Sequence, residues 1–360
     1  MKAAVCHEFA KPLLIEDLQL AEPEAGEVKV RLKACAICHS DIISLDGGWG
    51  GPLPAVFGHE AAGVVDAVGS GVDTVSPGDH VVVTLIRSCG HCHYCARGDR
   101  VMCETGFRLD GQSPLASASD GIVNQGLRTG AFAEEVLVDA SQVCTIPDDV
   151  PFDSASLLAC GVLTGFGAVR KTAQVPAGAA VVVIGAGGVG INCIQGAVAA
   201  NARVIIAVDI ADAKCDSARQ FGATHTVNAG DARLRNQVRE LTDGRGADFV
   251  FISVGAKSAI DSSVKLLAHG GTAVVVGMPA SGVMAEYDPG ELAARSQRII
   301  GSKMGSACVS EDIPKLVSLY QQGSLKLDEL ISGRYRLEDI NEAIASSKSG
   351  AALRNVIVFE

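Results

Sequence analysis

Between Ala179 and Ala202 the chain runs for 24 residues without a charged side chain. That length and polarity would suit a bilayer helix. The run is broken, however, by Gly185-Ala-Gly187-Gly188-Val189-Gly190. The spacing is G-x-G-x-x-G, preceded by the apolar Ala180–Ile184 and followed by a helix-compatible segment. We read it as a buried strand, a tight turn and a helix. Gly185 permits the turn, Gly187 leaves a pyrophosphate unobstructed, and Gly190 lets helix and strand approach. Gly188 and Val189 open the helix, whose free N–H groups and dipole face the phosphates. The next apolar run, Arg203–Val208, ends at Asp209, 19 residues past Gly190. A carboxylate there accepts ribose hydroxyls and repels a 2′-phosphate, which favours NAD over NADP.

The 360 residues suggest two domains. Residues 1–150 read mainly as β structure. Val28–Leu32, Gly63–Val68, His80–Leu85 and Phe132–Val138 are short apolar runs separated by turns such as Pro77-Gly78-Asp79. They predict a barrel-like unit. Residues 106–130 are rich in Gly, Ser and Ala and are expected to form a long loop. Beyond about residue 160, Val181–Ile184, Val204–Val208, Phe249–Ile252 and Ala273–Val276 are continuous apolar runs. Helix-length segments such as 189–201 and 212–221 lie between them, which predicts a doubly wound parallel sheet. The closing Asn355–Phe359 is strand-like and is expected to return to the first domain. A net charge of −11 disfavours nucleic acid or an anionic membrane as partner. The first residues lack the apolar run of a secretory signal. With 12 cysteines, that predicts reduced thiols, metal sites and a cytoplasmic location.

Cys89-x2-Cys92-x2-Cys95-x7-Cys103 is the strongest local motif. Four thiolates at this spacing can enclose one tetrahedral Zn²⁺ with no position left for substrate, so the site is expected to be structural. An iron–sulfur cluster is compatible with the ligand type. His91 and His93 lie between the cysteines and are expected to be bystanders. A second set is dispersed: Cys38-His39-Ser40-Asp41, then Gly58-His59-Glu60, then Cys160. Spacing alone does not make these a site, since an isolated cysteine is more often an inert buried thiol.

At these residues the chain resembles the zinc-dependent medium-chain alcohol dehydrogenases. Gly58-His59-Glu60, Gly63, Gly69 and Val72 match the family pattern G-H-E-x2-G-x5-G-x2-V. The four-cysteine lobe matches in full, and Leu158-Ala-Cys160-Gly-Val-Leu-Thr164-Gly is similar to the family segment carrying the last catalytic ligand. The resemblance implies an α/β architecture in which a GroES-like β-barrel catalytic domain (1–160 and 303–360) is interrupted by a Rossmann NAD-binding domain (161–302). It implies two zinc ions per chain. Cys38, His59 and Cys160 would hold the catalytic one, with a fourth position open to substrate, and Cys89, Cys92, Cys95 and Cys103 the structural one. Glu60 matches a carboxylate near the metal, and Asp41 one that orients the ligand histidine. Lys214 aligns with a lysine near the adenosine ribose, and His39 and Arg354 with residues facing the pyrophosphate. Thr164, Val189 and Val276 correspond to residues around the nicotinamide.

The same resemblance implies reversible oxidation of an alcohol to an aldehyde or ketone. Ser40 would take the substrate proton while zinc stabilises the alkoxide. Many relatives carry a relay histidine three residues after the relay Ser or Thr; here that position is Ile43, which carries no proton. Trp49 and Leu85 would line the pocket with Ser40, which favours a hydrophobic primary or secondary alcohol. Three further readings remain. One is a glutathione-dependent formaldehyde dehydrogenase, with Arg108 meeting the glutathione carboxylate. Another is a polyol or threonine dehydrogenase, which usually implies a more polar pocket. The last is a catalytically silent zinc- and NAD-binding structural or sensor protein. Homodimers and homotetramers are usual in the family.

Overall fold

The structure, a computed structural model, describes residues 1–119, 121–350 and 352–360. It divides into two compact units, Met1–Gly161 with Cys308–Glu360, and Val162–Ala307.

In the first unit, β1 (Lys2–Cys6), β2 (Leu14–Leu20), β4 (Ala55–Val56), β7 (Leu115–Ser117) and β8 (Gly121–Gln125) close a five-stranded barrel in the order β1-β2-β7-β8-β4. A second sheet runs β10 (Val143–Thr145), β6 (His80–Val83), β5 (Glu60–Val68), β3 (Glu27–Ala36), β18 (Arg354–Val358) and β17 (Ile331–Tyr335), with β9 (Glu135–Asp139) also pairing β3. Val28, Val30, Leu32, Val65, Val81, Val83, Val136 and Val138 join Phe132 in one core between these strands. The carboxyl-terminal β18 pairs β3 antiparallel, so the end of the chain does return to the first unit.

One register matters most for the site. β3 and β5 are antiparallel, with Ala36 opposite Glu60. The residues just past the end of β3 therefore meet those just before β5, which brings Cys38 toward His59. β18 lies on the other side of β3, with Val356 opposite Ala36, and Ile37 N–H donates to Asn355 O at 2.9 Å. Arg354 thus reaches the same end of the sheet.

The expected long loop at 106–130 is instead ordered. It holds a short helix, Arg108–Gly111, and the barrel strands β7 and β8. Those strands are short and only partly buried, so they leave little local periodicity; their partners β2 and β4 lie far away in the chain. Asp120, within that stretch, lies outside the described residues.

The second unit is a six-stranded parallel sheet. Its order is β13 (His225–Asn228), β12 (Val204–Asp209), β11 (Ala180–Ile184), β14 (Ala247–Ile252), β15 (Leu267–Val275) and β16 (Arg298–Gly301). All residues of β11 and β12 are buried, which explains their unbroken apolar runs. The order reverses between β11 and β14, and the turn Gly185–Gly187 leaves β11 there, at the topological switch point. The helix Gly188–Ala199 follows directly. A Cβ at Gly190 would lie 1.7 Å from Gly185 O, so only glycine allows this helix to start so close to its strand. No single helix among the described residues is long and apolar enough to cross a membrane. The uncharged run Ala179–Ala202 is β11, the turn and this helix.

Candidate functional site

Cys38, His59, Glu60 and Cys160 offer one donor atom each, and these atoms lie within 4.8 Å of one another. All four side chains are buried. Local structure explains each placement. Cys38 ends the β3 extension and precedes the helix His39–Leu45. Asp41, fully buried on that helix, binds three points at once: Cys38 N–H to Oδ2 at 3.0 Å, Gly58 N–H to Oδ1 at 3.0 Å, and His59 Nδ1 to Oδ1 at 2.9 Å. Gly58 has φ +91°, and a Cβ there would lie 2.6 Å from Phe132 N. The glycine of the G-H-E motif is therefore required by both backbone and space. Thr84 Oγ1 donates to Ala159 O at 2.7 Å and so fixes the residue before Cys160.

The donor set fits a divalent cation. His59 Nε2 and Glu60 Oε1 are buried with no hydrogen-bond partner. Buried polar atoms normally have one. The Cys160 thiol donates to Cys38 and holds the latter well below the usual thiol range, while Cys160 is pushed well up by the same bond and by burial. Burial opposes protonation of His59, yet Asp41 and Cys38 hold its imidazolium well above the ordinary range. Burial pushes the Glu60 carboxyl up to about 7, against the nearby Arg354 guanidinium.

Arg354, expected at the pyrophosphate, also has a partner within the first unit. Its side chain is buried, and Nη2 donates to Glu60 Oε2. A buried carboxylate needs a buried partner, and the β18 register supplies it. Ser40 is half-buried, and its carbonyl accepts from Ser44 Oγ at 2.9 Å. Ile43, Trp49 and Leu85 are half-buried, and His39 is exposed. Arg108 is committed elsewhere: Nε and Nη2 donate to Glu27 at 2.7 and 2.6 Å.

The second cluster is Cys89, Cys92, Cys95 and Cys103, again with donor atoms within 4.8 Å. Four thiols and no other donor suit a closed tetrahedral zinc site. Neither histidine belongs to the donor set. His91 Nδ1 lies 2.9 Å from Cys89 O, and His93 Nε2 lies 3.4 Å from Arg97 Nη1. Sequence reasoning missed Arg87, buried at the root of this lobe. It reaches Gln142 Oε1 at 2.6 Å, Asp110 Oδ1 at 2.8 Å and Arg128 O at 2.9 Å. Its one visible signal was an arginine directly after an apolar strand and just before Cys89.

In the second unit nothing lies within 4 Å of where a Cβ at Gly187 would be, so the turn is open above that residue. Asp209 closes β12 and is only 8% exposed. Its Oδ2 accepts from Ala186 N at 2.7 Å and Oδ1 from Ala211 N at 3.0 Å, which aims the carboxylate at the glycine turn. Lys214 is half-buried on the helix Asp212–Gln220. Thr164 Oγ1 donates to Met304 Sδ at 3.6 Å, Val276 is buried and Val189 half-buried.

Residues 24–148 match the alcohol dehydrogenase GroES-like domain, and residues 188–322 the zinc-binding dehydrogenase domain. The NDMA-dependent alcohol dehydrogenase of Amycolatopsis methanolica is 38% identical over 99% of this chain and 98% of its own. The chain belongs to the zinc-dependent medium-chain alcohol dehydrogenases. A probable S-(hydroxymethyl)glutathione dehydrogenase of Schizosaccharomyces pombe is 36% identical over 99% of this chain and 96% of its own. The crystal structure of benzyl alcohol dehydrogenase from Acinetobacter calcoaceticus superposes with a TM-score of 0.93, at 33% identity, over 100% of this chain and 99% of that one. The protein is accordingly an alcohol dehydrogenase, an oxidoreductase that uses zinc and a nicotinamide cofactor on small alcohols.

Proposed function

We propose that this alcohol dehydrogenase catalyses the NAD-linked, reversible oxidation of a hydrophobic primary or secondary alcohol. The observation that carries the reading is the convergence of Cys38, His59 and Cys160, with the Nε2 of His59 left unpartnered. In this reading those three hold the catalytic zinc. Cys89, Cys92, Cys95 and Cys103 hold a structural zinc. Bound zinc supplies Lewis acidity and bound NAD the hydride acceptor.

The chain's own residues do the rest. Asp41 fixes the tautomer of His59, so that Nε2 carries the lone pair toward the ion. Glu60, tied to Arg354, keeps its second oxygen beside the ligands. Ser40 receives the substrate proton by hydrogen bond. Ile43 cannot pass it on, so in this reading release to water follows. Gly185, Gly187, Gly188, Val189 and Gly190 cradle the pyrophosphate, Asp209 takes the adenosine ribose with Lys214 nearby, and Thr164 and Val276 border the nicotinamide. His39 faces the phosphates. We assign Met1–Gly161 with Cys308–Glu360 as the catalytic domain and Val162–Ala307 as the NAD-binding domain. A cytoplasmic location, supported by 12 free cysteines, and a homodimer or homotetramer complete the proposal.

Trp49 and Leu85 favour an apolar substrate, and the resemblance to a benzyl alcohol dehydrogenase points the same way. The glutathione-dependent alternative has less support, because Arg108 is already bound by Glu27. A panel of aliphatic, aromatic and polyol substrates, followed by NADH absorbance with and without a chelator, tests the reading. Turnover of benzyl and medium-chain alcohols, lost on chelation, is expected. Preference for S-hydroxymethylglutathione would overturn the substrate assignment, and NADH formation untouched by metal removal would overturn the zinc assignment.

A further inference from the structure

Four thiolates outnumber the two charges of the ion they enclose, so a four-cysteine site carries excess negative charge. Hydrogen bonds to the sulfurs must disperse it. Backbone amides do part of this: Cys92 N–H points to Cys89 Sγ at 3.2 Å, and Cys89 N–H to Cys103 Sγ at 3.4 Å. Cys89 receives one donor more. The hydroxyl of Thr105, two residues past the last cysteine of the motif, lies 3.0 Å from Cys89 Sγ. A hydroxyl bonded to an anionic acceptor is among the stronger hydrogen bonds. Cys89, Cys92 and Cys103 are alike in being half-buried, so access does not separate them, whereas the short hydroxyl bond from Thr105 falls on Cys89.

We propose that Thr105 is a tuning residue of the four-cysteine site, which shields Cys89 from soft electrophiles by drawing charge from its thiolate. Alkylation shows why. The sulfur lone pair forms an S–C bond to iodoacetamide while the C–I bond breaks and iodide leaves. A hydrogen bond that stabilises the lone pair slows that step. Cys103 has a longer amide contact and otherwise a weak 3.9 Å contact from Cys92 Sγ, so it is less shielded than Cys89 and is attacked before it. This inference rests on the lobe being a tetrahedral metal site.

The test uses the full-length, zinc-loaded protein as wild type, Thr105→Val, Thr105→Ala and Thr105→Ser. Brief iodoacetamide pulses are read by per-cysteine mass spectrometry. In the wild type Cys103 is modified before Cys89. Thr105→Val and Thr105→Ala raise the Cys89 rate by about tenfold, the worth of one hydrogen bond to a charged group, and Thr105→Ser restores protection. In cobalt-loaded protein, the thiolate-to-cobalt charge-transfer band moves to lower energy in Thr105→Val. A Cys89 rate unchanged in both Thr105→Val and Thr105→Ala, with an unmoved band, overturns the role of Thr105 alone. A wild type whose lobe shows no tetrathiolate cobalt spectrum overturns the metal site itself, and the inference with it.

Discussion

Asp41 Oδ1 lies 2.9 Å from His59 Nδ1, with both side chains fully buried. The same carboxylate caps the helix that follows Cys38 and takes the N–H of Gly58. One side chain therefore sets the backbone of one ligand and the ring of another. Replacing it with Asn removes the charge and disturbs all three bonds. Zinc affinity at the Cys38 site is expected to fall by about 10- to 100-fold in Asp41→Asn, the usual effect of losing such a partner. Competition with a chromogenic chelator measures it. Affinity equal to wild type would show that Cys38 and His59 are positioned without Asp41.

Gly58→Ala tests the backbone behind the same site. The positive φ and the 2.6 Å approach to Phe132 N leave no room for a methyl group. A left-handed non-glycine residue costs about 1–2 kcal/mol before any steric clash, so the His59 segment must shift. Metal analysis is expected to find the four-cysteine site filled and the Cys38 site depleted. Full occupancy of both sites would mean that the turn relaxes without moving His59.

These two residues also mark what could be read in advance. Strands buried on both faces, the G-x-G-x-x-G turn and the close-spaced cysteines are local patterns, and all three were visible. The meeting of Cys38, His59 and Cys160 is not local. It depends on the β3–β5 register and on the Thr84–Ala159 bond, so only the family resemblance suggested it. The Arg354–Glu60 bond was illegible for the same reason, because the two residues are 294 apart in the chain. Strands β7 and β8 were hidden by their shortness and by the Gly- and Ser-rich stretch in which they lie. Thr105 has no motif at all; a hydroxyl two residues past a cysteine acquires meaning only from its contact.

The Arg354–Glu60 pair yields a stability prediction. Both groups are buried, so removing one strands the other. Breaking such a pair costs roughly 3–5 kcal/mol, whereas replacing both partners with apolar groups is often neutral. Arg354→Leu is expected to lower the urea midpoint of the zinc-loaded protein strongly. Adding Glu60→Leu to Arg354→Leu is expected to recover much of the loss. A double variant as unstable as Arg354→Leu alone would show that the arginine acts through packing rather than through its charge.

Cofactor choice turns on Asp209. Its carboxylate is held at the glycine turn by Ala186 N and Ala211 N, and it sits at the end of β12 beside the switch point. A negative charge fixed there favours two free ribose hydroxyls and repels a phosphate on the same ribose. Asp209→Ser removes the charge and the bonds to it. NADH binding is expected to weaken by about tenfold, the worth of one hydrogen bond to a charged group. NADPH binding is expected to strengthen as the repulsion disappears. Fluorescence titration of both cofactors gives the two Kd values, and thermal unfolding of the apoprotein controls for a loosened turn. If the ratio of the two Kd values stayed at its wild-type level, with the turn intact, discrimination would have to come from residues other than Asp209.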